Sequence, residues 1–302
     1  MLLAALQAPL EARRRYITIA SPSQGGGSKT VQPAALEPIE PLRGVNVKKL
    51  LAAMTIAAIA ASAGVAQAKD WKQIRFGVDA SYAPFESKAP DGKLVGFDID
   101  LGNEICNRLK AKCVWVENDF DGMIPGLKAK KFDGVLSSMT ITPEREKQIA
   151  FSKPLFDTPT ALVAKKGSGL QPTPEALKGK SVGVEQGTIQ ETYAKTNWEA
   201  KGVKVVPYQN QDQVYQDLLS GRLDAALQDK VQADIGFLKT PRGANFQQAG
   251  NSIPSGAAAI GLRKEDADLK ADIDKAIDGM MKDGTYNKIE KKYFDFDVAP
   301  KS

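Results

Sequence analysis

Short apolar strands that alternate with amphipathic helices, twice over, constrain this chain more than any other feature of its sequence. Ile74-Arg75-Phe76-Gly77-Val78 alternates as a half-buried strand does, and Asp91-Gly92 is a hairpin turn signal. A helix is expected over 97–110, with Asp98 as its N-cap and Ile99, Leu101, Ile105 and Leu109 on its apolar side. A strand at 114–116 follows, then a helix opened by Asp119-Phe120-Asp121, then the strand Gly134-Val135-Leu136. Strands separated by helices of about 10–15 residues imply an α/β fold whose mostly parallel sheet is covered on both faces.

The pattern then starts again. Strands are expected at 160–164, 181–184, 203–206 and 224–228, with helices after 189 and over 212–220. Residues 130–138 overlay residues 221–229, which aligns Asp133 with Asp224 and Ser138 with Asp229. An extended piece at 256–262 and helices over 266–282 and 286–293 close the chain. This tail is expected to return to the first half, giving lobes at 69–157 plus 255–302 and at 158–254. Two extended crossings between lobes make a hinge.

In such sheets ligands sit at the carboxyl ends of strands. Asp79, Tyr82, Ser137, Ser138 and Thr140 all fall there in the first half. Arg145 follows at the start of a helix whose first turn holds Pro143, a residue suited to that position because its missing N–H would be unpaired anyway. A guanidinium fork matches a carboxylate with two parallel hydrogen bonds. Hydroxyls, backbone N–H groups and one Arg at a strand end suit an α-carboxylate beside an α-ammonium.

The chain has no histidine, which removes Ser-His-Asp and Cys-His arrangements and most transition-metal sites. No metal, no cofactor and no catalytic residue is expected. Lys48 and Lys49, an apolar run over 50–65 and Ala66-Gln67-Ala68 read as a signal peptide at 47–68, cleaved after Ala68 for export to the periplasm. The segment 1–46 reads as upstream translation before a start near Val47, or as an extended n-region. Of the 41 basic and 36 acidic residues, seven and three fall in residues 1–68, so the remainder is near neutral. A near-neutral balance argues against a nucleic-acid surface. Cys106 and Cys113 read as one disulfide in an exported protein, with two buried thiols as the alternative.

Residues 69–302 resemble the periplasmic basic amino-acid-binding proteins of ABC transporters, the lysine/arginine/ornithine- and histidine-binding group of solute-binding protein family 3. The matching stretches are DASYAPF from Asp79, GFDIDLGNEIC from Gly96, DFDGMIPGLKAKKFD from Asp119, SSMTITPERE from Ser137, KGKSVGVEQGTIQE from Lys178 and GRLDAALQD from Gly221. The resemblance implies a two-lobe periplasmic-binding-protein fold of type II, and a disulfide between the two cysteines. It implies that Arg145, with Thr140 and Thr188, binds a ligand carboxylate, and that Asp229 and Ser138 hold its ammonium. Tyr82 and Phe120 would sandwich the ligand side chain. Asp79 would face the distal cation, with Ser137 and Gln190 nearby. Glu185 stands where those relatives usually carry an apolar residue; a second carboxylate near Asp79 favours a permanent cation over an imidazole. The expected ligand is a cationic L-amino acid, arginine before ornithine or lysine, with histidine or an opine behind. The expected partner is an inner-membrane ABC permease, and the protein is expected to be a monomer. A dehydratase-like enzyme on the same scaffold and a sensor for a membrane receptor are the alternatives.

Overall fold

The structure, a computed structural model, describes residues 71–300. The expected signal segment, its cleavage point and the reading of 1–46 lie outside these residues. Among the described residues no helix is long and apolar enough to cross a membrane.

In the first lobe, β1 (Gln73–Val78) buries Ile74, Phe76 and Val78 and delivers Asp79 at its end. A small antiparallel sheet follows: β2 (Ser81–Tyr82), β3 (Glu86–Lys88) and β4 (Leu94–Val95). Gly92 turns between β3 and β4 at φ 81°, a conformation glycine adopts without penalty. The helix α1 (Phe97–Arg108) is capped by Gly96 and not by Asp98. Asp98 lies inside the first turn, buried, where its Oδ2 accepts the Ser138 N–H at 2.8 Å. That bond to the neighbouring strand end outcompetes the helix-end role read from the sequence.

Next come β5 (Lys112–Glu117), a 3-10 turn at Phe120–Gly122, α2 (Met123–Lys128) and β6 (Gly134–Val135). A disulfide joins Cys106 on α1 to Cys113 on β5. The short helix α3 (Pro143–Glu146) is capped by Thr142, whose hydroxyl accepts the Arg145 N–H. The strand β7 (Ala150–Asp157) has no counterpart in the sequence reading. Pro154 breaks its pattern, and its place at the edge of the sheet is where a strand proline is tolerated.

The second lobe runs β8 (Thr160–Lys165), α4 (Pro174–Leu177), β9 (Ser181–Glu185), α5 (Ile189–Asn197), β10 (Lys204–Tyr208), α6 (Gln211–Leu219), β11 (Ala225–Asp229), a π-helical stretch at Gln232–Leu238 and β12 (Phe246–Gln248). The chain returns through β13 (Ala257–Leu262), and α7 (Ala267–Asp283) and α8 (Thr285–Glu290) pack on the first lobe through Leu269, Ile273, Ile277 and Tyr286.

Two five-stranded sheets result, ordered β5-β1-β6-β13-β7 and β10-β9-β11-β8-β12. In each, one strand (β13, β8) runs against the other four. Separate apolar clusters cover each sheet: Phe76, Phe97 and Leu101 against Met123, Leu127 and Phe132 in one lobe, Leu177 and Trp198 against Val214 and Phe237 in the other. The fold is the expected two-lobe α/β architecture. Its two crossings are hydrogen-bonded to each other, Thr160 and Ile253 exchanging N–H···O bonds of 2.8 Å.

The internal overlay is structural. Asp133 accepts the Arg75 N–H at 3.1 Å and returns its own N–H to the Arg75 carbonyl; Asp224 does the same with Ser181, accepting at 2.8 Å. Beside them, glycines on the first strands leave room for a large side chain. A Cβ on Gly77 would meet the Phe132 ring at 2.9 Å, and one on Gly183 would meet Leu223 at 2.4 Å.

Candidate functional site

The carboxyl ends of β1, β6, β9 and β11 converge on one cavity, lined by residues of both lobes. All eleven ligand-site residues expected from the sequence line it, together with Glu86 and Ile189. Arg145 enters from α3. Its Nη1 donates to the Thr140 carbonyl at 2.7 Å and its Nη2 crosses to the Gly187 carbonyl of the second lobe at 3.0 Å. The Phe120 ring lies against it, 5.4 Å from centroid to Cζ, within cation–π range. Burial lowers the Arg145 pKa to about 10, against the opposing pull of Asp229.

Asp229 ends β11 on the facing wall. Its Oδ2 accepts from the Tyr82 hydroxyl of the first lobe at 3.0 Å and its Oδ1 from Gln190 Nε2 at 2.9 Å. Burial raises its carboxyl to about 7, with Tyr82, Gln190 and Arg145 all opposing the rise. Gln190, expected near the distal cation with Asp79, hydrogen-bonds Asp229 in the same cavity. The Thr188 hydroxyl caps α5, accepting the Glu191 N–H and donating to the Glu185 carbonyl, so it is already engaged.

Asp79 bridges the loop after β1. Its Oδ1 accepts from the Ser81 N–H, its Oδ2 from the Phe120 N–H, and its own N–H donates to Ser137 Oγ at 2.9 Å. Glu185 is 3 % exposed and lines the cavity; it does not point to solvent. Burial, and then Asp79, push its pKa well above the carboxylate range, and burial raises Asp79 too. Glu185 Oε1 is buried and has no hydrogen-bond partner among the described residues.

Glu86 and Ile189 were not read from the sequence. Glu86 pairs with Tyr82 across β2 and β3, which places it beside a residue already singled out. The hairpin signal at Asp91-Gly92 joins β3 to β4, and the turn that joins β2 to β3 carries no comparable signal. Ile189 is simply the first, apolar residue of α5, and nothing distinguishes it in sequence.

Further contacts hold the lobes together around the cavity. Gln211 N–H donates to Ser81 Oγ at 3.2 Å, and Gln209 reaches Asp119. Two glycines of the second lobe touch first-lobe backbone. A Cβ on Gly236 would meet the Ala83 carbonyl oxygen at 2.1 Å, and one on Gly187 would meet Asp121 Cα at 2.7 Å.

The sequence profile of the bacterial extracellular solute-binding proteins, family 3, matches residues 74–296. The chain belongs to this family. Among curated relatives, it is 51 % identical over 257 residues to the lysine/arginine/ornithine-binding periplasmic protein of Escherichia coli K12, covering 83 % of this chain and 99 % of that protein. It is 48 % identical over the same length, with the same coverage, to the histidine-binding periplasmic protein of that strain. Among solved structures, an ancestral arginine-binding protein bound to arginine matches with a TM-score of 0.71 and 41 % identity, covering 74 % of this chain and 98 % of that one. The family 3 match spans both lobes and every residue that lines the cavity.

Proposed function

We propose that this family 3 protein captures an L-amino acid with a permanently cationic side chain by closing its two lobes, and delivers it to an ABC permease of the inner membrane. One observation carries the reading: a single cavity sets Arg145 opposite Asp229 and adds three more acids, Asp79, Glu185 and Glu86. An unpaired buried charge costs several kcal/mol, so a cavity with one cation and several acids favours a ligand with one carboxylate and two positive groups. Arg145 takes the α-carboxylate. Asp229 and Ser138 take the α-ammonium. Tyr82 and Phe120 flank the aliphatic stem, and Asp79 with Glu185 meets the distal cation. Because each lobe holds only part of this set, ligand stabilises the closed arrangement.

The names of the relatives support arginine, lysine, ornithine and histidine as the candidate class. The acid surplus ranks arginine first, ornithine and lysine next, and histidine or an opine last, since imidazole is mostly neutral at pH 7. Binding rather than turnover is the assignment: arginine incubated with the protein should be recovered unchanged. Export to the periplasm with cleavage after Ala68 predicts a mature N-terminus at Lys69, which N-terminal sequencing of exported protein reads directly. A monomer is expected at all ligand concentrations.

Calorimetry of the purified protein against the twenty amino acids, ornithine and an opine tests the central reading. Arginine should bind tightest, and Arg145→Ala should abolish binding of every ligand. Equal affinity for arginine and a neutral amino acid would overturn the charge argument.

A further inference from the structure

We propose that Glu86 is a positioning residue for ligand selectivity, which from behind Ser137 and Ser138 takes both hydroxyl protons and leaves both oxygens facing the cavity as acceptors. The inference rests on the cationic-ligand reading above and extends it to a residue that reading uses only as a charge.

A serine hydroxyl has one proton and two lone pairs. Ser137 Oγ donates to Glu86 Oε1 at 2.9 Å and accepts the Asp79 N–H at 2.9 Å. Its proton is spent, and one lone pair remains. Ser138 Oγ lies 3.5 Å from Glu86 Oε2, a longer bond that points its proton the same way. Ser138 is also held in place from its backbone. It sits at φ 49°, an uncommon conformation for a residue with a side chain, and its N–H is fixed by Asp98 at 2.8 Å.

Glu86 is suited to this by its surroundings. It is 1 % exposed, and the charged groups that act on it are Asp98 and Asp79, both acids. Asp98 Oδ1 lacks an N–H or hydroxyl donor, so a proton held between the Asp98 and Glu86 carboxyls satisfies that atom and relieves the repulsion. With that proton directed to Asp98, Glu86 presents acceptors to the two serines. The cavity then meets a ligand with two hydroxyl oxygens that can only accept. Ammonium and guanidinium N–H groups satisfy them; a carbonyl or carboxylate in the same place does not.

Arginine and citrulline, its neutral urea analogue of nearly the same shape, separate this role from simple packing. Their dissociation constants are measured by calorimetry for wild type, Glu86→Gln and Glu86→Ala, each also in a Ser137→Ala background. In Glu86→Gln the amide donates to one serine and turns its proton into the cavity. The arginine-to-citrulline preference should fall at least tenfold in Glu86→Gln and less in Glu86→Ala, where the hydroxyls are released. In the Ser137→Ala background the effect of Glu86→Gln should shrink to a few-fold. An unchanged ratio in both variants, or equal weakening of both ligands, overturns the inference and leaves Glu86 a packing residue. If Glu86→Gln does not fold, Glu86→Ala alone decides by the same ratio. A wild type that does not prefer arginine to citrulline sinks the cationic-ligand reading and this inference together; a wild type that does, with variants that keep its ratio, sinks only the inference.

Discussion

Residues 130–138 in the first lobe and 221–229 in the second form the same unit and end in different chemistry. Both use an aspartate to tie the start of one strand to the start of its neighbour, and both set a bulky side chain over a glycine. At the cavity end one unit delivers the Ser138 hydroxyl and the other the Asp229 carboxylate. The frame is repeated while the last residue is free to differ, so one scaffold presents a neutral acceptor on one wall and a charge on the other. The supports differ too. Asp133 is buried against Arg75 and Arg263, with Arg263 4 % exposed, whereas Asp224 pairs with a half-exposed Lys180 at 3.2 Å.

The largest effect should come from erasing the difference at the cavity end. Asp229→Asn keeps the shape and removes the charge, and should weaken arginine at least about 100-fold, roughly 3 kcal/mol. Calorimetry reads this; a loss under threefold would mean that the second unit's charge does not hold the ammonium. Next, the frames should part in stability. Asp133→Ala takes one of two carboxylates from the buried Arg263 guanidinium, leaving it Asp266 and the Leu127 and Phe132 carbonyls, and should cost about 3 kcal/mol. Asp224→Ala loses an exposed pair and one hydrogen bond, and should cost about 1 kcal/mol. Urea denaturation compares them, and equal costs would break the distinction.

Smaller effects test Glu185, which neither unit supplies, and the titration of Asp229. Glu185→Leu should lower the preference for arginine over histidine about tenfold, or roughly 1.4 kcal/mol. An unchanged preference would remove Glu185 from ligand selection. Burial and Asp79 push the Glu185 carboxyl above its ordinary range, and a bound cation should pull it back down. Arginine affinity should therefore rise with pH, with proton release seen as a dependence of the calorimetric heat on the buffer. The smallest effect concerns Asp229 in the ligand-free protein. Raised to about 7 by burial, it keeps a proton that the unfolded chain gives up near pH 4. Its contribution is present below about pH 4 and lost as pH rises through about 7. Wild type should lose more melting temperature than Asp229→Asn across that window, and the opposite slope would contradict the assignment.

Much of this was legible in the sequence because strand and helix periods and strand-end residue types are local. The order of elements, the two halves and the overlay of the repeated unit follow from such patterns, as do Asp79, Tyr82, Ser137, Ser138, Thr140, Arg145 and Asp229 at strand ends or a helix start; Phe120, Glu185, Thr188 and Gln190 come only from the family resemblance. What was missed depends on distance. β7 was hidden by Pro154, which only its edge position excuses. Asp98 has the sequence signature of a helix cap, yet its partner is Ser138, forty residues away. Glu86 enters the site through the pairing of β2 with β3, and the bond from Gln190 to Asp229 depends on how α5 is set on its sheet.

The meeting of Gly236 with the Ala83 carbonyl and of Gly187 with Asp121 has a mechanical consequence. Backbone against backbone, with no side chain between, cannot compress or swing aside, so the lobes share a hard stop. Under the proposed closure, a cargo that fits should let the lobes reach this stop and a bulkier one should prop them ajar, so the protein would act as a caliper that reports size through how far it shuts.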